Sequence, residues 1–269
     1  MRFLLEPTRA RGLEDLLSHG RAALRAGFDG VLLRPGRELP APLVSAAALG
    51  GAVETLLVAV DVPIGDRHPV ELAEEAAVVD LGLGGRLVLG VRPDPEAPEG
   101  FAEALDLLRT AFTARPFRWE GGRWKVPANL PQNVNNPERQ VRVSPAPYQP
   151  RMEIWGCGEA AAATVGRGMG HLSDPEEALE AVAGRWAEAE GLPSSIGAPR
   201  VRRHGFAGAA RLREELLDGR RAFGQDWAVV AGDAEVAEVV GREVRPDVQL
   251  DALPPGLTDF WQGRTRCRS

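Results

Sequence analysis

The sequence predicts an α/β fold, a TIM-like (β/α)8 barrel, and three observations carry that expectation. Short apolar runs alternate with segments of helical periodicity along most of the 269 residues. Counted along the chain, about eight such runs qualify as strands, the number that closes a barrel. The first is followed by Glu6-Pro7-Thr8, not by the glycine-rich phosphate turn expected of the competing doubly wound open sheet.

Arg2 to Leu5 is the first apolar run, and Gly12 to Gly27 carries Leu13, Leu16, Leu17, Ala23 and Leu24 at helical spacing. Gly30 to Leu33 is the second strand, entered through a turn at Gly27-Phe28-Asp29, and Pro42 to Leu49 is a short apolar helix. Thr55 to Val60 has the composition of a strand covered on both faces, and His68 to Leu83 is helical with Pro69 in its first turn. Arg86 to Val91 is the fourth strand. Phe101, Leu105, Leu108 and Phe112 then mark one face of an amphipathic helix.

The alternation pauses at Phe117 to Val126, where FRWEGGRWKV predicts a hairpin about Gly121-Gly122. Residues 127–150, with Asn129, Asn133, Asn135 and Asn136, form an irregular excursion of a kind more often functional than idle. Alternation resumes with a strand at Met152 to Trp155, a helix at Glu159 to Arg167, and a longer helix at Pro175 to Glu190 capped by Asp174. Val201 to Phe206 is a weaker strand, Arg211 to Phe223 a helix, Trp227 to Ala231 a strand and Ala234 to Gly241 a helix. Val248 to Leu250 is expected as the last strand, and Pro254 to Ser269 as a terminal helix or tail. The expected organisation is one barrel domain over 1–269, with shortened loops and the hairpin and irregular insertion around 117–150.

Composition narrows the function classes. With 44% hydrophobic and 26% charged residues the chain buries a full core. A net charge of −6 removes the basic surface that a phosphate backbone needs, so no nucleic-acid partner is expected. Arg200, Arg202 and Arg203 are expected to be a solvated face. Cys157 and Cys267 lie too far apart in sequence to suggest a disulfide framework or a zinc spacing. His19, His68, His171 and His204 show no ligand spacing, so no metal is expected. The amino-terminal apolar run is too short for a signal peptide, and no stretch approaches the roughly 20 apolar residues of a membrane span. A cytoplasmic protein without a membrane partner is the expectation.

Asp66 to Pro93, DRHPVELAEEAAVVDLGLGGRLVLGVRP, resembles the signature of the luciferase-like monooxygenase family. Arg67, His68, Pro69, Leu72, Ala73, Asp80, Gly85, Arg86, Leu87 and Gly90 fall where that pattern has them. AGFDGVLL at Ala26 to Leu33, FAEALDLLRTAF with FRWEGGRWKVP at Phe101 to Pro127, PAPYQPRMEIWGCGEAAAATVGRGMG at Pro145 to Gly170 and VAGDAEVAEVVG at Val230 to Gly241 agree in the same order. The resemblance implies a barrel enzyme, usually dimeric, that holds FMN or a deazaflavin coenzyme at the carboxyl ends of its strands. It further implies monooxygenation or hydride transfer on a small organic substrate. Such a cofactor needs an apolar slot, an anion site and a sealed pocket.

Carried onto this chain, the resemblance makes Gly156, Cys157 and Gly158 cofactor-binding through a turn that serves the flavin phosphate, where glycines let backbone N–H groups approach an anion. The bland alternative is an ordinary strand-to-helix turn. Arg92 is either a phosphate ligand or a surface arginine. Ala59 and Val60 lie where the family bulges its backbone against the flavin ring, and Asp61 either faces the pocket as a catalytic acid/base or begins a loop. His68 is expected to start its helix more than to act as a base, and Phe117, Trp119 and Trp124 to pack the hairpin. Where catalytic relatives carry a Glu-His or His-His pair, this chain has Arg34-Pro35-Gly36-Arg37. That departure keeps a second expectation open, a catalytically silent flavin-binding or subunit-like member. The apolar positions Leu72, Ala73, Ala76, Ala77 and Val79 suggest a homodimer, or a heterodimer with a full-length relative.

Overall fold

Eight parallel strands close into a barrel in a computed structural model that describes residues 1–36, 41–128, 139–190 and 197–251. In chain order the barrel strands are β1 (Arg2–Pro7), β2 (Gly30–Leu33), β3 (Leu57–Ile64), β4 (Leu87–Pro93), β7 (Glu153–Cys157), β8 (Gly170–Ser173), β9 (Arg200–Gly205) and β10 (Trp227–Gly232). The short pair β5 (Trp119–Glu120) and β6 (Lys125–Val126) forms the expected hairpin, which lies outside the barrel sheet. Sequential strands pair in parallel, with β4 passing to β7, and β10 closes the ring on β1. Arg37, Asn129, Asn133, Asn135, Asn136, Cys267 and the 254–269 tail lie outside the described residues.

The helices are α1 (Leu13–Arg25), α2 (Pro42–Ala52), α3 (Pro69–Gly82), α4 (Phe101–Phe112), α5 (Ala161–Val165), α6 (Leu179–Glu190), α7 (Ala209–Phe223), α8 (Ala234–Val239) and α9 (Arg245–Asp251). Much of the conspicuous Asp66 to Pro93 segment builds local structure. His68 caps α3 by accepting the Val70 N–H at its Nδ1 (3.2 Å), while Pro69 begins the helix where a missing N–H costs nothing. Asp80 is fully buried and accepts from the Gln149 backbone N–H (3.0 Å) and side-chain amide (2.8 Å), tying α3 to the chain entering β7. Arg86 donates to the carbonyls of Leu56 (2.6 Å), Val53 and Gly50, satisfying the end of α2.

Three expectations are corrected at the level of elements. Val248 to Leu250 belongs to α9, not to a strand; the strand that completes the set of eight in its place is β8, the sixth barrel strand along the chain, which pairs with β7 and β9. The helix expected from Pro175 begins only at Leu179, and Asp174 does not cap it. The Arg200 to Arg203 face is not solvated: Arg202 is 8% exposed, Arg203 pairs with Glu6, and Arg200 donates to the Phe223 carbonyl. On α3, Leu72, Ala73, Ala76 and Ala77 are buried within the single chain, whereas Val78 and Leu81 face outward. Among the described residues no helix is long and apolar enough to cross a membrane.

Candidate active site

Strand side chains alternate, so each barrel strand sends every second residue inward. Leu4, Leu32, Ala59, Val88, Trp155, Cys157, Leu172, Val201, Trp227 and Val229 form a buried cluster separate from the strand-to-helix core, and this is the barrel interior. Trp155 and Trp227 meet edge to face at 5.0 Å and fill it.

Two residues further toward the carboxyl ends, the inward positions become charged. Glu6 follows Leu4, Arg34 follows Leu32, Asp61 follows Ala59, Asp174 follows Leu172 and Arg203 follows Val201; Arg92 comes four residues after Val88, with Gly90 between. Three arginines and three carboxylates thus crown an apolar floor. Asp61 is fully buried, and its Oδ2 accepts from Arg34 Nε (3.0 Å) and Arg92 Nη1 (2.8 Å). Its Oδ1 is buried without a partner among the described residues. Glu6 receives both Nε and Nη2 of Arg203, the latter at 2.9 Å, as a forked pair. The side chains of Arg34 and Arg92 are about one-third exposed, so their outer edges reach solvent.

Burial alone would weaken the hold of Arg34 on its proton, but the Asp61, Glu6 and Asp174 carboxylates outweigh it and raise its pKa. Burial pushes the Cys157 thiol well above the ordinary range, with Asp61 acting in the same sense. Cys157 therefore stays a protonated part of the floor and no nucleophile at neutral pH. Gly90 makes this layer possible, since an added Cβ would lie 2.5 Å from the Val60 carbonyl oxygen and 3.0 Å from Cys157 Sγ.

Ala59, Asp61, Arg92 and Cys157 converge on the barrel interior and its mouth. Val60 points the other way, into the core beneath the helices. Gly156 also faces outward, where a Cβ would lie 2.2 Å from Thr164 Oγ1; it lets α5 approach β7. Gly158 lies at φ +58°, and the nearest atom to an added Cβ is Asp174 Oδ2 at 3.6 Å, so its backbone edge is open and beside a carboxylate. Asp61 does not begin a loop, because β3 runs on to Ile64 with unbroken pairing to β4, and Ala59 to Asp61 carry no bulge.

From the sequence Asp174 is expected only as a helix cap, Arg203 only as part of a solvated face and Arg34 only as a departure from the family pattern, and Glu6 carries no site expectation. The signal for them was present: each stands two residues beyond an inward apolar residue at a strand end. Away from the mouth, Trp124 packs edge to face on His68 at 4.9 Å, and Trp119 Nε1 donates to Glu103 Oε1 at 3.3 Å. Among the described residues no three potential metal-ligating side chains come together.

The family model for luciferase-like monooxygenases matches residues 3–251. Monooxygenase RslO1 from Streptomyces bottropensis has a similar structure, with a TM-score of 0.70, 16% identity, and coverage of 92% of this chain and 99% of that one. The oxygenating constituent of 3,6-diketocamphane monooxygenase from Pseudomonas putida, in complex with FMN, also gives 0.70 at 16% identity, covering 91% and 98%. The coenzyme F420-dependent tetrahydromethanopterin reductase from Methanopyrus kandleri gives 0.68 at 11% identity, covering 92% and 99%. No curated protein sequence matches the chain. At such identities the structural likeness shows a shared barrel, and the sequence model extends the relation to ancestry. The chain belongs to the luciferase-like monooxygenase family.

Proposed function

We propose that the protein is a flavin-type oxidoreductase of a cytoplasmic setting, binding FMN or alternatively a deazaflavin coenzyme at the barrel mouth and acting on a small organic substrate. The observation that carries this reading is the mouth itself. It combines an apolar floor, a buried carboxylate with one free oxygen, and two arginines whose outer edges are open. That donor and acceptor set suits a flat, polar-edged, anionic group. A bound flavin or deazaflavin would supply the redox chemistry, as monooxygenation or hydride transfer.

The chain's own residues would do the rest. Arg34 and Arg92 hold Asp61 through Oδ2, leaving Oδ1 to accept an N–H or hydroxyl from a ligand, the catalytic acid/base role proposed for it. Arg92 has further donors for an anion. Gly158 and the Cys157 backbone would let a phosphate approach the turn after β7, and Ala59 would keep the floor apolar.

The second reading, a silent flavin-binding or subunit-like member, is favoured by Arg34. It stands where catalytic relatives carry an imidazole, and its Nε is committed to Asp61. Titration with FMN and with a deazaflavin, each oxidised and reduced, tests both readings. Micromolar or tighter binding of one of them is expected, and no binding of either ends the cofactor reading. Substrate-dependent oxygen or hydride consumption excludes the silent alternative. We further infer a homodimer, or a heterodimer with a full-length relative, through α2 and α3, whose outer surfaces expose Val44, Val78 and Leu81. Sedimentation at micromolar concentration reads this directly.

A further inference from the structure

Arg202 differs from its neighbour Arg203 in the direction it faces. Arg203 points inward to Glu6, whereas Arg202, at the opposite parity on β9, lies under the segment that leads into α6. Its Nη2 donates to the carbonyls of Pro175 (3.2 Å) and Glu177 (2.9 Å). Its Nη1 is buried with no partner, and it forms no ion pair among the described residues. An arginine only 8% exposed, with no carboxylate at ion-pair distance among the described residues, is costly to keep charged: burial lowers its pKa against the opposing pull of Glu177, Glu215 and Glu176, and an added anion would offset that cost.

Arg202 lines a cleft of about 370 Å³ between the end of β9 and the start of α7, together with Arg203, His204, Phe206 and Arg211. The carboxylates on the same cleft are already committed: Glu215 to Arg211 (3.0 Å) and His204 (3.4 Å), and Asp218 to Arg221 (3.4 Å). Both ring nitrogens of His204 are engaged, Nδ1 with Glu215 and Nε2 with Gln225. Among the described arginines lining the cleft, Arg202 is therefore the one without a carboxylate at ion-pair distance.

A second observation points to the same place. The cleft is lined by Ala207, just before the Gly208 cap of the 15-residue helix α7, and by Arg211 in its first turn, and that helix start has no side-chain cap and no acidic residue in its first turn. Its first backbone N–H groups have no intrahelical acceptor, and the positive end of its dipole is uncompensated. β9 is the seventh barrel strand, and loops after the seventh and eighth strands commonly hold phosphate in such barrels.

We propose that this cleft is a binding site for a small phosphate-type oxyanion, held by the Arg202 guanidinium and the amino-terminal N–H groups of α7. The site is separate from the turn after β7, and it does not depend on the flavin reading. Its occupant is either a free phosphate or phosphomonoester, or the phosphate of a larger ligand that reaches over the rim from the mouth.

Titration of the full chain with inorganic phosphate, at ionic strength held constant with chloride, should show saturable binding. Arg202→Met should weaken it at least tenfold, and Arg202→Lys should restore part of the loss. Phosphate that competes with FMN but not with riboflavin, in a competition that Arg202→Met abolishes, supports the site and assigns it to the cofactor's phosphate; competition that Arg202→Met leaves unchanged belongs to the turn after β7 and counts against the site. Phosphate that binds together with FMN supports the site and assigns it to a separate ligand. Because Arg202 also anchors the Pro175–Glu177 backbone, a readout on the unaltered protein is needed as well. Phosphate should slow modification of Arg202 by phenylglyoxal, followed by peptide mass spectrometry. No saturable binding of phosphate, equal binding by Arg202→Met, or equal rates of Arg202 modification with and without phosphate would overturn the proposal.

Discussion

The inside of the barrel at β3 and β4 and the outside of the barrel at β8 and β9 handle buried charge in opposite ways. At the mouth, Asp61 is tied to Arg34 and Arg92 from neighbouring strands, and Glu6 is paired with Arg203. Beneath α6 and α7, by contrast, neither ring nitrogen of His171 has a partner of full hydrogen-bond geometry. Arg202 Nη1, Arg185 Nη2 and Gln225 Oε1 are also left over. Buried polar groups without partners cost about 1–3 kcal/mol each. Among the described residues most of the unpartnered buried side-chain atoms thus lie in this sector, on the far side of the strands from the layer of cross-strand ion pairs, with Asp61 Oδ1, Trp124 Nε1 and Arg245 Nε elsewhere. That contrast makes the α6–α7 sector the one to respond to protons and anions.

The sharpest test of the comparison is acid. Burial, followed by the nearby Arg185, lowers the His171 pKa to about 4 from an ordinary 6.5. Between these values the unfolded chain binds the proton and the folded chain does not, so stability is fully present above pH 6.5 and is lost as pH falls toward 4. The loss from His171 should be about 3 kcal/mol at pH 4 relative to pH 7. His204, lowered first by burial, adds in the same direction. Urea unfolding across this range should show the slope, and His171→Leu should flatten it. An unchanged slope in that variant would mean that His171 is hydrated in solution.

Next in size is the mouth. Asp61→Ala should cost about 2–3 kcal/mol, below the ~3–5 kcal/mol of a fully buried pair because the stranded Arg34 and Arg92 are partly hydrated. Asp61→Asn, which keeps an acceptor oxygen, should cost less. Denaturant midpoints at pH 7 measure both, and a neutral Asp61→Ala would show that the ion-pair layer carries no stability.

Smaller effects test the proposed ligand contacts. Gly158→Val places a branched side chain at φ +58° and over the open backbone edge, so FMN affinity should fall at least tenfold, about 1.4 kcal/mol. Arg92→Ala should weaken FMN comparably, and riboflavin should be affected much less in both variants. Equal losses for the two flavins would place the phosphate elsewhere. The smallest effect is expected at the exposed Arg242–Glu243 pair, where Arg242→Ala should change stability by less than ~0.5 kcal/mol in the same assay.

The alternation of strands and helices, the hairpin at 117–126 and the family signature were legible because they depend on residues close in sequence. Helical periodicity, a proline at N1 and a Gly-Gly turn act over a few residues, and chain neighbours alone satisfy them. β8 was not legible, because Gly170-His171-Leu172-Ser173 is four residues long and half polar. It is a strand only because β7 and β9 flank it. Val248 to Leu250 has the look of a strand, but the barrel is already closed by β10 on β1, and the chain continues from α8 through one wide turn into α9. Asp61 and its arginines stand 27 and 31 residues apart, and only barrel closure brings their inward faces to one layer. Arg202 and Arg203 are adjacent and alike in sequence, yet one is paired across the barrel and the other buried under the chain entering α6. By itself the sequence determined which residues could form strands and helices. Which side of the wall each charge faces, and whether a partner waits there, was decided only by tertiary structure, because strand parity and helix coverage are set by contacts between distant parts of the chain.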